Sequence, residues 1–141
     1  RNAFIMYDLL KEVIKNGTAR KAKTLKRPDI AGKTGTTNDL MDAWFAGFNS
    51  DIVTVTWMGF DQPKSLGNKE TGSRAALPIW IDYMRPLLKD YPIKNLVKPE
   101  GIIPFKINKR TGMTNNADEN GFYEYFYEEY PPFDNSYFVI N

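Results

Sequence analysis

The sequence predicts an α/β domain in which helices pack on a short antiparallel sheet. Within residues 1–91, apolar side chains recur every three or four positions near both ends, and three short runs of strand-forming residues lie between them. Polar turn residues separate these runs. The chain has 141 residues, of which 42% are hydrophobic, so its length and composition suit one folded domain or part of one.

The first helix is predicted over residues 3–15. Its apolar side chains follow the helical period and would line one face. They are Met6, Leu9, Leu10, Val13 and Ile14. Asn16 and Gly17 come next, and this pair is typical of a left-handed helix end.

The sheet is predicted from strands at residues 30–36, 43–48 and 52–59. The last two are joined by the polar residues 49–51, which favour a tight turn and therefore an antiparallel meander. Residues 61–73 are polar and predict a loop. Helical spacing then returns over residues 74–89, with Pro78 expected in the first turn, where a missing N–H is tolerated.

Residues 92–141 are predicted to form a C-terminal tail or extension. Pro92, Pro99 and Pro104 interrupt it, and residues 102–107 are suited to a strand. The acidic and aromatic segment 122–130 fits an edge strand, a short helix or a disordered arm equally well.

Composition excludes several kinds of site. The chain has no cysteine and no histidine, so it cannot supply a disulfide, a thiol nucleophile, a Ser-His-Asp triad or an ordinary zinc or haem site. A net charge of +2 argues against a nucleic-acid partner, and no apolar run reaches the about 18 residues of a bilayer span. Residues 116–121 resemble the start of a calcium loop, but Tyr127 stands where a glutamate is needed. We therefore predict a polar turn there, with no metal and no cofactor.

The most informative segment is residues 30–38, where a strand-like run meets small hydroxyl residues around one lysine. A phosphate-binding P-loop would need a glycine five residues before Gly32, and that position holds Arg27. It would also need a helix next, whereas residues 38–42 lead to another strand. The P-loop interpretation is therefore rejected.

The second interpretation is a strand that borders a cleft. Alternation would place Lys33 and Gly35 on one side and Thr34 and Thr36 on the other. Gly35 would let a ligand backbone lie close to the strand, the two threonine hydroxyls could donate to a carboxylate, and Lys33 would add positive potential. This pattern predicts an acidic, peptide-like ligand.

Lys33-Thr34-Gly35 is also one of the active-site motifs of the penicillin-binding proteins. Further segments match in order along the chain. They are residues 2–6, 17–20, 29–38, 42–48, 57–61 and 76–80. Together they resemble the transpeptidase domain of a class A, bifunctional enzyme, densely over residues 1–90 and more loosely beyond. The resemblance implies an incomplete penicillin-binding or β-lactamase-like transpeptidase fold.

The resemblance also implies roles for the motif. Lys33 would line the cleft and support proton transfer, while the Thr34 and Thr36 hydroxyls would bind the carboxylate of a D-Ala-D-Ala stem peptide or of a β-lactam. The backbone N–H of Thr36 would be one of two oxyanion-hole donors. The same binding segment would include Gly35 and, after the strand, two further residues. These are Thr37 and Asn38.

The chain departs from the family pattern because it has no nucleophile. Its four serines are not followed by lysine at the third position, and none begins a Ser-x-Asn triplet. They are Ser50, Ser65, Ser73 and Ser136. We therefore expect residues 1–91 to be the C-terminal part of a transpeptidase domain whose nucleophile lies upstream, and the chain alone to be inactive.

The function that the resemblance implies is a serine D,D-transpeptidase that cross-links peptidoglycan. The alternatives are a related D,D-carboxypeptidase or β-lactamase-like hydrolase, and a non-catalytic envelope-binding module. The implied location is the periplasmic face of the bacterial inner membrane, with an anchoring segment outside this chain.

The expected partners are a stem peptide or β-lactam and the upstream part of the same domain. An unpaired sheet edge also allows a homodimer or a strand-swapped assembly. The three tryptophans are expected in the core, because each lies among apolar residues. They are Trp44, Trp57 and Trp80.

Overall fold

Residues 1–114 and 121–132 are described by a computed structural model of the protein. They belong to two units, one formed by Tyr7–Leu96 and the other by Arg1–Met6 with Val97–Asn141. Most of the calcium-like segment 116–121 lies outside the described residues. Its twelfth position, Tyr127, is part of a strand. The expected boundary after residue 91 stays a prediction about the parent domain.

Two α-helices and five strands make up the described chain, together with shorter helical turns. The α-helices are α1 (Asn2–Lys15) and α2 (Leu77–Leu87), and the strands are β1 (Ala31–Thr36), β2 (Ala43–Phe48), β3 (Val53–Met58), β4 (Ile102–Ile107) and β5 (Phe122–Tyr127). A 3₁₀ helix at Arg20–Leu25 precedes β1, and a second one at Asn38–Leu40 follows it.

Both α-helices differ in detail from the sequence prediction. Gly17, after α1, is not in the left-handed conformation, so the predicted left-handed helix end is wrong. A Cβ at Gly17 would lie 2.8 Å from the backbone of Val13, and a close approach explains the glycine. The helix predicted over residues 74–89 begins with a π-helical turn at Gly72–Ala76, and Pro78 lies in the first turn of α2 as expected.

The predicted antiparallel meander is confirmed. β1 pairs with β2 and β2 pairs with β3, in the order β1-β2-β3. Gly35 lies opposite Trp44, which in turn lies opposite Trp57. Because paired residues point to the same side of a sheet, these three positions share one face and Thr34, Phe45 and Thr56 share the other.

The face that carries Ala43 and Phe45, here named the closed face, packs on α2. Both residues are fully buried, and the Phe45 ring meets the Trp80 indole edge to face at a centroid distance of 4.9 Å. Met84 of α2 is also fully buried in this cluster. This cluster is the main core of the unit.

The opposite face of the sheet, named the open face, carries large apolar side chains that are exposed. Its members are Trp44, Val53, Val55 and Trp57, with exposures of 42, 73, 58 and 44%. Only Trp80 of the three tryptophans is buried in the described core, so the expectation is wrong for Trp44 and Trp57. Strand alternation is the reason, because Ala43 and Phe45 occupy the α2 side and direct Trp44 away from it.

A buried ion pair closes the unit at the start of β1. The Arg27 guanidinium donates to both carboxylate oxygens of Asp29, at 2.7 and 2.6 Å. It also donates to the carbonyls of Leu88 and Tyr91, and thereby joins β1 to the end of α2. Burial alone would raise the pKa of Asp29, but hydrogen bonds from Arg27 and from the Lys94 N–H hold that pKa below its ordinary value.

The second unit contains the antiparallel pair β4 and β5. Of the three conformations left open for residues 122–130, the structure adopts a strand over most of the segment. The Arg1 guanidinium forms an ion pair with Glu129 at 2.6 Å, and the Phe4 ring packs edge to face on Tyr125. Aromatic residues of β5 therefore contribute packing within this unit.

Candidate active site

The candidate site is the outer edge of β1, the edge directed away from β2. The Thr37 N–H donates to the Asp42 carbonyl at 3.0 Å, so residue 37 directs its backbone groups toward β2. In an antiparallel pair this direction alternates from one residue to the next. The N–H groups of Thr34 and Thr36 therefore point to the outer edge, which no strand of the described residues pairs with.

Lys33 brings a positive charge to the same edge. Its side chain is exposed, and its ammonium donates to the carbonyl of Thr34 at 2.9 Å. That carbonyl shares the outward direction of the Thr34 N–H. None of the ion pairs found in residues 1–114 and 121–132 involves Lys33. The charge is therefore available to an acidic group that approaches the edge.

The Thr36 hydroxyl is oriented by the turn that precedes α2. Its Oγ1 accepts a hydrogen bond from the Gly72 N–H at 3.0 Å. A backbone N–H can only donate, so the hydroxyl keeps its own proton for another acceptor. A Cβ at residue 72 would lie 2.4 Å from the carbonyl oxygens of Gly35 and Trp44, which explains why glycine occupies this position.

Sequence reasoning missed Gly72, because it placed residues 61–73 in a loop without a role. A glycine two residues before a predicted helix was the available signal. Thr18 was also missed as a neighbour of the motif. Its hydroxyl lies 2.8 Å from the Thr34 hydroxyl, although 16 residues separate the two in sequence.

The residues after β1 form a turn. The Thr37 Oγ1 accepts from the Asp42 N–H at 2.8 Å, and the Asp42 carboxylate accepts from the Trp57 indole at 2.8 Å. Asn38 begins the 3₁₀ helix that follows, and its side chain is exposed. The structure thus groups Lys33, Thr34 and Thr36 along the strand, while the Thr37 hydroxyl has an internal partner. Carboxylate binding by Thr37 and Asn38 stays a prediction.

The described residues offer neither a metal site nor a membrane-spanning helix. Histidine, cysteine, aspartate and glutamate side chains form no group of three or more that could bind a metal ion within residues 1–114 and 121–132. In those same ranges, no helix has both the length and the apolar character needed to cross a membrane.

Comparison with known proteins identifies the relatives of this chain. Penicillin-binding protein 1A of Pseudomonas aeruginosa is 50% identical over 133 residues, which cover 94% of this chain and 16% of that protein. Penicillin-binding protein 1A of Neisseria lactamica is 54% identical over 103 residues, covering 73% of this chain and 13% of that protein. The chain therefore spans a small part of the length of these relatives. No family model matches it.

A solved structure agrees with these relatives. The 2.6 Å crystal structure of penicillin-binding protein 1A from Haemophilus influenzae aligns with a TM-score of 0.85 and 37% identity, over 93% of this chain and 21% of that one. The alignment supports the incomplete penicillin-binding fold that the sequence predicts. The chain belongs to the class A penicillin-binding proteins, as a fragment of their transpeptidase domain.

Proposed function

We propose that this chain forms one wall of the active site of a serine D,D-transpeptidase. The observation that carries the proposal is the outer edge of β1, where the Thr36 N–H and the Lys33 ammonium lie beside hydroxyl groups. The complete enzyme would cross-link the stem peptides of peptidoglycan through an acyl-enzyme. β-Lactams would acylate the same serine.

The nucleophilic serine would lie upstream of Arg1 in the parent protein. Its oxygen would attack the carbonyl between the two D-Ala residues and form an ester, while the terminal D-Ala leaves as an amine that takes up a proton. The amine of an acceptor strand would then attack the ester, form the new peptide bond and return the serine hydroxyl. Lys33 would support the proton transfers through its positive charge.

The Thr36 N–H is suited to an oxyanion hole. Charge develops on the carbonyl oxygen only in the tetrahedral transition state, and a donor fixed on a strand can be aimed at that position in advance. Removing one such donor in another serine enzyme lowers the rate by about 10² to 10³. The second donor would come from the upstream part of the domain.

The carboxylate of the substrate or β-lactam would bind to the Thr34 and Thr36 hydroxyls. A carboxylate only accepts hydrogen bonds, and the Thr36 proton is not needed by its Gly72 partner. Gly35, between them, adds no side chain. Thr37 and Asn38 would complete the segment at the end of the strand.

The exposed tryptophans and valines of the open face support the proposal that upstream residues of the same domain cover this sheet. On this proposal, residues 1–91 complete the transpeptidase domain and residues 92–141 extend it. The parent would act on the periplasmic face of the inner membrane, held by an anchoring segment outside this chain. A homodimer or a strand-swapped assembly is the alternative cover.

The test is the mass of the intact parent protein after incubation with a penicillin. The wild-type protein should gain one adduct located upstream of Arg1. Lys33→Ala should gain it much more slowly and still fold, because the side chain is exposed. Lys21→Ala, at an exposed lysine of the 3₁₀ helix before β1, is the matched control and should react at the wild-type rate.

Each other outcome changes the conclusion. A wild-type protein without an adduct would overturn the catalytic proposal and favour an envelope-binding module. An adduct within residues 1–141 would contradict the placement of the nucleophile. If the adduct forms but is released by water faster than by an acceptor amine, a D,D-carboxypeptidase or β-lactamase-like hydrolase would replace the transpeptidase.

A further inference from the structure

Thr18 lies between α1 and the 3₁₀ helix Arg20–Leu25. The residues that follow it are held in place by backbone hydrogen bonds. The Ala19 N–H donates to the Val13 carbonyl at 3.1 Å, and the Ala22 N–H donates to the Ala19 carbonyl at 2.9 Å. Ala19 and Ala22 are both fully buried in the core. The exposed Thr18 side chain therefore projects from a fixed segment.

The Thr18 hydroxyl lies 2.8 Å from the Thr34 hydroxyl, a distance at which either could donate. Each hydroxyl has a single proton. If Thr34 donates its proton to a ligand carboxylate, only Thr18 can supply the proton between the two threonines. Carboxylate binding would thus fix the direction of this hydrogen bond.

We infer that Thr18 is a positioning residue that orients and polarises the Thr34 hydroxyl toward the carboxylate of the substrate or β-lactam. This inference rests on the proposed function. A donor that itself accepts a hydrogen bond becomes a stronger donor, because the bonds of a chain polarise one another. Threonine also has few χ1 conformations, which limits the positions that its hydroxyl oxygen can take.

The arrangement parallels that of the other threonine of the motif. Thr36 accepts from the Gly72 N–H, and Thr34 would accept from the Thr18 hydroxyl. Both hydroxyls would then accept one hydrogen bond from within the protein and direct their protons to the ligand. The difference is that the Thr18 donor is a side chain, so it can be removed without altering the backbone.

The experiment compares the acylation of the parent protein by a penicillin and by the methyl ester of the same penicillin. Thr18→Val removes the hydroxyl and keeps the branched shape, and Thr18→Ser keeps the hydroxyl. Thr24→Val is the matched control, because the Thr24 hydroxyl donates only to the nearby Lys21 carbonyl. Stopped-flow measurement of the second-order acylation rate constant is the readout.

We expect Thr18→Val to slow acylation by the free acid roughly fivefold, the size of one hydrogen bond. Acylation by the ester, which lacks the charge, should change less than about twofold, and Thr18→Ser should restore the free-acid rate. Thr24→Val should resemble the wild type with both compounds.

Three results would overturn the inference. If Thr18→Val slows acylation by the acid and by the ester equally, Thr18 has a structural role. If Thr18→Val reacts at the wild-type rate, Thr18 has no role in acylation. If Thr18→Ser fails to restore the rate, the Thr18 hydroxyl would be excluded as the cause of the effect. These results leave the proposed function intact if the wild type is acylated, whereas a wild type that reacts with neither compound removes both proposals.

Discussion

The two faces of the three-stranded sheet both carry large apolar residues but differ in burial. Phe45, on the closed face, is fully buried under α2, whereas its neighbour Trp44, on the open face, is 42% exposed. The strands are the same, so the difference lies in what covers each face. Large apolar side chains on both faces of a strand, as in β2, are typical of a sheet that is buried on both sides. The open face therefore has the composition of a core surface that another segment buries.

Trp80 provides the largest expected effect on the closed face. The indole is fully buried and packs on Phe45, and Gly47 leaves the space that it fills. Trp80→Ala should lower the free energy of unfolding of the chain by about 3–5 kcal/mol, because it removes a large buried ring and leaves a cavity. Urea denaturation followed by circular dichroism would measure the loss.

Trp80→Phe is the graded control for this change. The Trp80 Nε1 is buried and has no hydrogen-bond partner among the described residues, so phenylalanine would remove an unpaired polar group while it keeps a ring. Trp80→Phe should lower the free energy of unfolding clearly less than Trp80→Ala does. A Trp44→Ala change in the same chain should cost under about 1 kcal/mol, and a loss as large as that of Trp80→Ala would contradict the comparison of the faces.

The buried pair at the edge of the closed face gives the next prediction. Asp29→Asn should destabilise the chain at pH 7 by about 3–5 kcal/mol, since it leaves the Arg27 guanidinium without its partner charge. The wild type should also lose stability in acid. The folded-state pKa of Asp29 is lowered, so this contribution is complete above the ordinary aspartate pKa of about 3.9 and disappears as the pH falls through the lowered value.

Thermal unfolding between pH 7 and pH 2 would measure this dependence in both proteins. The difference in stability between wild type and Asp29→Asn should narrow as the pH falls. Asp51→Asn is the control, because its ion pair with Lys94 is exposed and should contribute little at any pH. A constant difference between wild type and Asp29→Asn would show that hydrogen-bond geometry matters there and that charge does not.

Sequence reasoning succeeded where a pattern was local. The strands, the meander and the side of β1 on which Lys33 or Thr34 lies follow from alternation and from turn residues. It failed where burial depends on a distant element. Trp44 and Phe45 are adjacent and both strongly apolar, so the local sequence does not tell which of them is buried. Which of them enters the described core is decided by α2, some 30 residues later in the chain. The contacts of Thr18 and Gly72 with the motif were not predicted, because both residues are also distant from the motif in sequence.

The open face should also control self-association. Val55→Lys places a charge in the middle of β3 on this face, where an exposed valine now lies. The isolated chain should then form fewer dimers or larger species in sedimentation velocity, since a charge opposes the burial of this surface. In the parent protein the same change should lower stability, if upstream residues cover the face. Val97→Lys, at an exposed valine of the other unit, adds the same charge and is the control for a general effect of charge.

The smallest effect concerns a polar contact that ties the open face to the end of β1. The Trp57 indole donates to the Asp42 carboxylate, and the Asp42 N–H donates to the Thr37 hydroxyl. Trp57→Phe should cost about 0.5–1.5 kcal/mol in the chain, near the lower limit because the site is exposed. A double-mutant cycle with Asp42→Ala would isolate the contact. A coupling energy of zero would mean that packing, including the ring contact with Trp44, holds Trp57 without help from the Asp42 carboxylate.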